Sequence, residues 1–306
     1  MLRGLATQSP SRQQPMGARS WSAHDLLSWR RRCLAQGGRR ADFDWLLDLA
    51  GGLPWRELQR LHLDPARPVQ LVCPVASLEA LWQRHLAGGE PLQYLLGLCP
   101  WRDLELKVGP GVLIPRQETE LLVELAGGLA AAPPALWADL GTGSGCLAAA
   151  LAGLWPGSSG LAVDLSPEAL QQAEANLKTV GAQPRVRLLQ GHWWDPLQPW
   201  WGALGLVLAN PPYIPSAVWA GLEPGVRDHE PRLALDGGPD GLGSLRTIAR
   251  GGAQALAPGG VLVLEHHHDQ SGAVLGLLRQ AGLQQVQAHR DLEGVLRFAS
   301  ARRPLP

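Results

Sequence analysis

From about residue 118 to its end, the chain alternates short apolar runs with longer amphipathic stretches, and no other feature limits its possible folds as much. The spacing predicts a helix over 118–131, a strand over 135–140, a helix over 146–154, a strand over 161–165, a helix over 167–180 and strands over 185–189 and 204–209. After a long irregular segment it predicts a helix over 243–256, a strand over 261–265, a helix over 272–281 and closing strands near 283–289 and 293–300. Parallel strands need long crossovers, and helices supply them. The pattern therefore builds a doubly wound α/β fold, a mostly parallel sheet with helices on both faces. Ligands of such sheets sit beyond the carboxyl ends of the strands, where the strand order reverses. Residues that carry chemistry are expected directly after strands.

With 306 residues there is room for more than this one sheet, since domains run to roughly 100–200 residues. Residues 1–20 hold Arg, Ser, Gln and Pro with no acid before Asp25, and a disordered tail is expected there. Residues 21–96 read as a small helical bundle, with apolar residues at three- and four-residue spacing over 24–35, 42–49, 54–63 and 77–86. Residues 97–116 read as a β-hairpin linker. Residues 101–108 alternate, Gly109-Pro110-Gly111 supplies the turn and 112–114 returns. The sheet domain then occupies 117–306.

Composition excludes several classes. The chain is 45% hydrophobic and 18% charged, so it is not disordered as a whole. Lys+Arg and Asp+Glu both total 27, which argues against a strongly basic nucleic-acid binder. No apolar run reaches the ~20 residues of a membrane span. Cys33, Cys73, Cys99 and Cys146 are scattered without a CxxC pair, so neither a zinc knuckle nor a disulfide framework is indicated and a cytoplasmic setting is expected. His266-His267-His268-Asp269 invites a metal reading, but adjacent strand residues point to opposite faces and make no ready chelate; no metal is expected.

Two segments stand after strands. Asp139-Leu140-Gly141-Thr142-Gly143-Ser144-Gly145 links a strand to a helix, and its glycines let backbone approach a ligand closely. Asp164 ends the next strand, where a carboxylate can accept from both ribose hydroxyls. A dinucleotide fingerprint would need Gly or Ala at 146, which is Cys146, so a nucleoside without a diphosphate fits better. S-adenosylmethionine (AdoMet) has that character. The second segment, Asn210-Pro211-Pro212-Tyr213, follows the apolar strand 204–209 at once.

Asn-Pro-Pro-Tyr after a strand, with a GxGxG loop upstream, resembles AdoMet-dependent methyltransferases that act on planar nitrogen. The ordered set Glu90–Gly97, Leu113–Glu120, Asp139–Gly145, Asn210–Tyr213, Glu230–Leu235, Leu264–His266 and Arg290–Gly294 resembles, more narrowly, the release-factor glutamine methyltransferase family, protein-(glutamine-N5) methyltransferases of the HemK/PrmC type. The resemblance covers roughly 88–300. It implies a seven-stranded class I sheet and methylation of the glutamine N5 in the GGQ motif of peptide-chain release factors, with S-adenosyl-L-homocysteine as product. It implies AdoMet contacts at Gly141, Thr142, Gly143, Ser144, Gly145, Asp164, Trp193 and Asn210, and substrate contacts at Asn210, Pro211, Pro212 and Tyr213. His192 stands where relatives often carry an acid. Residues 21–96 would bind the release factor, with the enzyme acting as a monomer and touching neither nucleic acid nor membrane.

The chemistry suits the residues. An amide nitrogen is a poor nucleophile because its lone pair is delocalised. Two fixed acceptors, the Asn210 side-chain oxygen and the Pro211 carbonyl, can hold its N–H bonds so that the lone pair faces the methyl carbon. Proline at 211 stiffens the turn and removes a competing donor. Tyr213 can cover the amide face and the developing charge. Asn210, Pro211 and Tyr213 are thus the catalytic candidates. The alternatives are a nucleic-acid adenine-N6 methyltransferase, which presents the same planar NH2, and a non-catalytic binding module that keeps the fold.

Overall fold

The structure is a computed structural model, and it describes residues 20–306. The tail expected over 1–20 lies, apart from Ser20, outside the described residues. The chain falls into two compact units that part between Leu96 and Gly97.

In the first unit, the strand pair β1 (Trp21–Ser22) and β2 (Pro68–Val69) accompanies helices α1 (Ala23–Leu34), α2 (Arg40–Leu49), α3 (Trp55–Leu61), α4 (Val75–Gly88) and α5 (Leu92–Leu96). Ser22 caps α1 by accepting from the Asp25 backbone N–H. The apolar faces meet in one core. Trp29 lies 5.3 Å from Phe43, and Phe43 meets Trp82 edge-on at 4.8 Å. Arg30 and Asp44 are buried there as an ion pair 2.5 Å apart.

The second unit opens with a hairpin, β3 (Leu98–Trp101) against β4 (Leu104–Lys107). Its turn is Arg102-Asp103, not the expected Gly109–Gly111. Trp101 pairs directly with Leu104, and Arg102 takes a left-handed φ of 54° to close the turn. Residues 112–114 form no returning strand. Val112 and Ile114 are instead buried as single anchors. Trp101 and Leu106 join the core of the sheet.

The sheet follows: α6 (Glu120–Leu129), β5 (Leu136–Leu140), α7 (Cys146–Leu154), β6 (Ser159–Asp164), α8 (Pro167–Thr179), β7 (Val186–Gln190), β8 (Leu204–Ala209), short helices α9 (Ser216–Trp219) and α10 (Pro224–Arg227), α11 (Gly243–Ala255), β9 (Leu256–Glu265), α12 (Ser271–Gln280), β10 (Gln284–Arg290) and β11 (Leu296–Arg302). Seven strands stand in the order β7-β6-β5-β8-β9-β11-β10. The pairs from β7 to β9 are parallel, and β11 is antiparallel to both β9 and β10. This is a mostly parallel, doubly wound sheet of seven strands. Strand β9 starts earlier than expected, at Leu256, because the register shift between Leu204 and Leu206 of β8 absorbs Pro258-Gly259-Gly260.

Side chains alternate between two apolar layers. Trp137, Leu206, Leu208, Val261 and Val263 pack on one face with α6 and α7. Ala138, Leu140, Val207, Ala209, Leu262 and Leu264 pack on the other with α11 and α12. Strand order reverses between β5 and β8. The two segments that sequence singles out leave the sheet side by side at that point.

Candidate active site

The loop after β5 is folded around the end of β6. Gly141 and Thr142 donate to the Val163 carbonyl at 2.8 and 2.9 Å, and Gly143 donates to Asp164 Oδ2 at 2.8 Å. Ser166 donates to Asp164 Oδ1 at 2.9 Å. Each carboxylate oxygen therefore keeps lone-pair capacity for a ligand. Gly141 has φ 74°, and a Cβ there would stand 3.2 Å from the Trp193 ring. Trp193 itself is held at φ 46°, unusual for a bulky residue. Its neighbour Trp194 turns into the core and donates to the Thr247 carbonyl at 3.2 Å, so the two adjacent indoles have separate tasks. Asn176 of α8 ties the loop to the hairpin, donating to Ser144 O at 2.8 Å and to Lys107 O at 2.9 Å.

These groups wall a cavity of about 680 Å³. Gly141, Thr142, Gly143, Ser144, Asp164, Trp193 and Asn210 all line it. Gly145 turns away, its Cβ position 3.0 Å from Ala173, and shapes the loop from behind. Arg116 is the one Lys or Arg among the described lining residues, and it is bound to Glu230 at 2.6 Å. A pyrophosphate would find no free Lys or Arg among the described residues that line the cavity. Asp164, Glu168 and Asp236 are the acids among its lining residues. Asp139, fully buried beneath the loop, accepts from Thr142 Oγ1 at 2.7 Å. Burial pushes its carboxyl up to about 7.

A second, smaller cavity of about 110 Å³ adjoins the first. Arg116, Leu113, Asn210 and Ala234 line both; Pro211 and Tyr213 line the smaller one and Pro212 the larger. Asn210 thus stands at the junction of a nucleoside-sized space and a side-chain-sized one. Its orientation is fixed: Nδ2 donates to Thr119 Oγ1 at 2.9 Å, which leaves Oδ1 as the acceptor. Thr119 in turn donates to Glu265 Oε2 at 2.8 Å, and Tyr213 donates to Glu265 Oε1 at 3.0 Å. Glu265 is buried, and the loss of water raises its carboxyl to about 7. Burial, with the Glu265 charge beside it, raises the Tyr213 hydroxyl far above its ordinary range, so Tyr213 is a neutral donor and not a base. Gln270 donates to the Tyr213 carbonyl at 2.9 Å. Gly237 presses on the same backbone, where any Cβ would come within 2.8 Å of Pro212 O and Tyr213 Cα. The outer wall is pinned by Glu230, which receives the Ile114 N–H at 3.0 Å and the Arg116 guanidinium.

Sequence reasoning missed Thr119 and Glu265 as members of this site. They fall within the Leu113–Glu120 and Leu264–His266 segments, and that was the available signal. His192 lines the larger cavity beside Trp193. His266 is buried with Nδ1 2.8 Å from the His267 carbonyl, while His267 pairs with Asp269 at 2.7 Å.

A sheet of this order, with its glycine loop gripping an acid and Asn-Pro-Pro-Tyr at the point of reversal, defines a class I methyltransferase. A model of the methyltransferase small domain matches residues 119–218. The catalytic domain of hMettl16, solved with a MAT2A 3′UTR hairpin, shares the fold with a TM-score of 0.54 at 13% identity, over 74% of this chain and 82% of that one. The release factor glutamine methyltransferase of Prochlorococcus marinus is 48% identical over 94% of this chain and 99% of its own length. Those of Gloeobacter violaceus and Synechocystis are 43% and 40% identical over 88% and 92% of the chain, and over 94% and 97% of their own lengths. The chain belongs to the release factor glutamine methyltransferase family.

Proposed function

We propose that this chain transfers a methyl group from AdoMet to the N5 amide nitrogen of the glutamine in the GGQ motif of peptide-chain release factors, leaving S-adenosyl-L-homocysteine. The observation that carries this reading is Asn210, held by Thr119 with its oxygen free, where the larger cavity meets the smaller. The named relatives favour it over nucleic-acid adenine-N6 methylation.

Asp164 would take the ribose hydroxyls, Trp193 would cover the adenine, and Gly141 to Ser144 would bring backbone against the rest of the nucleoside. When bound, AdoMet supplies a methyl carbon activated by a sulfonium leaving group. The smaller cavity would admit the glutamine side chain. Asn210 Oδ1 and the Pro211 carbonyl then hold its two N–H bonds, and Tyr213 packs on the amide plane. As the N–C bond forms and the C–S bond breaks, positive charge grows on those N–H groups, and the fixed acceptors bind them more strongly than in the ground state. The nitrogen gives up one proton to solvent. Alignment is the main remaining demand.

The first unit would hold the body of the factor while the loop reaches the site. The enzyme would work as a cytoplasmic monomer. No helix among the described residues is long and apolar enough to cross a membrane. Mass spectrometry of the GGQ peptide from a treated release factor tests the proposal. A methyl on the glutamine is expected, and label entering only DNA or RNA would overturn it.

A further inference from the structure

The proposed transfer needs Asn210 to present oxygen, not nitrogen, to the reacting amide. An asparagine amide is nearly symmetric in shape, so packing alone does not choose between its two orientations. The choice is made by hydrogen-bond polarity, and the polarity can be traced to one residue. Tyr213 donates to Glu265 Oε1, and Thr119 donates to Glu265 Oε2. A hydroxyl has a single hydrogen. Once Thr119 spends it on the carboxylate, its oxygen can only accept from Asn210. Asn210 Nδ2 fills that place at 2.9 Å.

We propose that Glu265 is a positioning residue for methyl transfer: because its carboxylate only accepts, it sets the direction of each hydrogen bond back through Thr119 to Asn210 and keeps Asn210 Oδ1 turned to the substrate nitrogen. The inference rests on the proposed function for its readout in turnover. The geometry beneath it spans three elements, since Thr119 precedes α6, Tyr213 follows β8 and Glu265 ends β9. Glu265 is buried and forms no ion pair among the described residues, which is costly for a carboxylate with only a packing role.

A proton on Glu265 would turn one of its oxygens into a donor. Thr119 could then receive that hydrogen and offer its own to Asn210, releasing the amide to turn over. The groups that face Glu265 and set this titration are Thr119, Tyr213, Glu118, which raises it, and Arg297 of β11, which lowers it and is itself held by Asp291 at 2.5 Å. His266 follows it in the chain, and the His267 ring lies 6.3 Å from Tyr213. With the Glu265 carboxyl raised to about 7, turnover should fall as pH drops through that region.

The test compares E265Q, T119V and T119S with the wild-type chain. E265Q keeps the shape but adds a donor. T119V leaves the carboxylate in place and breaks the chain of bonds at its middle, so it carries the test if E265Q does not fold. Both should lower kcat on a release factor on the order of 10²-fold while calorimetry shows AdoMet affinity changed by less than about threefold. T119S should recover most of the loss in T119V. The acid limb of the wild-type kcat profile should vanish in E265Q. Independently of turnover, the Asn210 side-chain amide signal in NMR should shift as Glu265 titrates in the wild type and stop doing so in T119V. Turnover of both E265Q and T119V within about threefold of wild type, or an Asn210 signal indifferent to Glu265, would overturn the proposal. A wild-type chain that methylates no release factor, yet shows the coupled Asn210 signal, would sink the substrate reading and support the positioning role.

Discussion

Both units pair buried acids with arginine, Asp44 in the helical unit and Glu230 and Asp291 in the sheet unit, but the sheet unit also buries two acids without such a partner. In the first, Asp44 is buried against Arg30 at 2.5 Å, and the rest of the interior is aromatic and aliphatic. In the second, Asp139 and Glu265 are buried with hydroxyl donors and no ion pair among the described residues, and both carboxyls are pushed up to about 7. Both lie near the carboxyl ends of strands, one beneath the glycine loop and the other behind Asn210. At Asp139 and Glu265 the cost of desolvation is carried beside the site, whereas at Asp44, Glu230 and Asp291 an arginine offsets it.

Four changes would break or sharpen this contrast. The largest effect is expected at the functional pole of the sheet unit: Asn210→Ala should cut kcat on the order of 10³-fold with AdoMet affinity changed by less than about tenfold, measured by label transfer and calorimetry. Near-normal turnover would remove Asn210 from the chemistry. In the helical unit, Arg30→Met strands a buried carboxylate and should cost about 3 kcal/mol in denaturant unfolding. A neutral result would mean that the pair contributes no more than an apolar contact.

Asp139→Asn should act in the other direction. The folded-state carboxyl holds its proton up to about pH 7, while the unfolded one releases it near the ordinary 3.8. This group therefore makes stability fall as pH rises between those values, and the loss persists above them. The Asn variant should gain up to about 4 kcal/mol at pH 8 and little at pH 4, with weaker AdoMet binding as the cost in function. A variant less stable at pH 8 would show that Asp139 is compensated after all. The smallest effect belongs to the exposed Trp55 and Leu63 around α3. Replacing both with Ser should raise KM for an intact release factor about fivefold and leave KM for a short GGQ peptide unchanged. Equal shifts for both substrates would argue against docking by the helical unit.

The parts of the site that are contiguous in sequence were legible in it. Gly141 to Gly145 and Asn210 to Tyr213 each act as a local backbone shape at the end of a strand, and local shape leaves a local pattern. Thr119 and Glu265 were not legible as a pair, because their contact spans 146 residues and exists only once β9 lies beside β8. The hairpin misled for a different reason. Gly109-Pro110-Gly111 is a strong turn signal, but the ladder needs its turn at Arg102-Asp103, and pairing Trp101 with Leu104 outweighs the strain of a left-handed arginine. Strand β9 was cut short at Pro258-Gly259-Gly260 because those residues signal a break, whereas a bulge carries the strand across them.

The smaller chamber beside Asn210 has a further consequence. Its volume of about 110 Å³ suits the end of a single side chain. In the proposed reaction it would act by reach: an asparagine is one methylene shorter than a glutamine and would hold its amide nitrogen farther from Asn210 Oδ1. Discrimination between the two amides would then come from reach, at the ~10–200-fold that one methylene provides, and not from any group that recognises the residue by its chemistry.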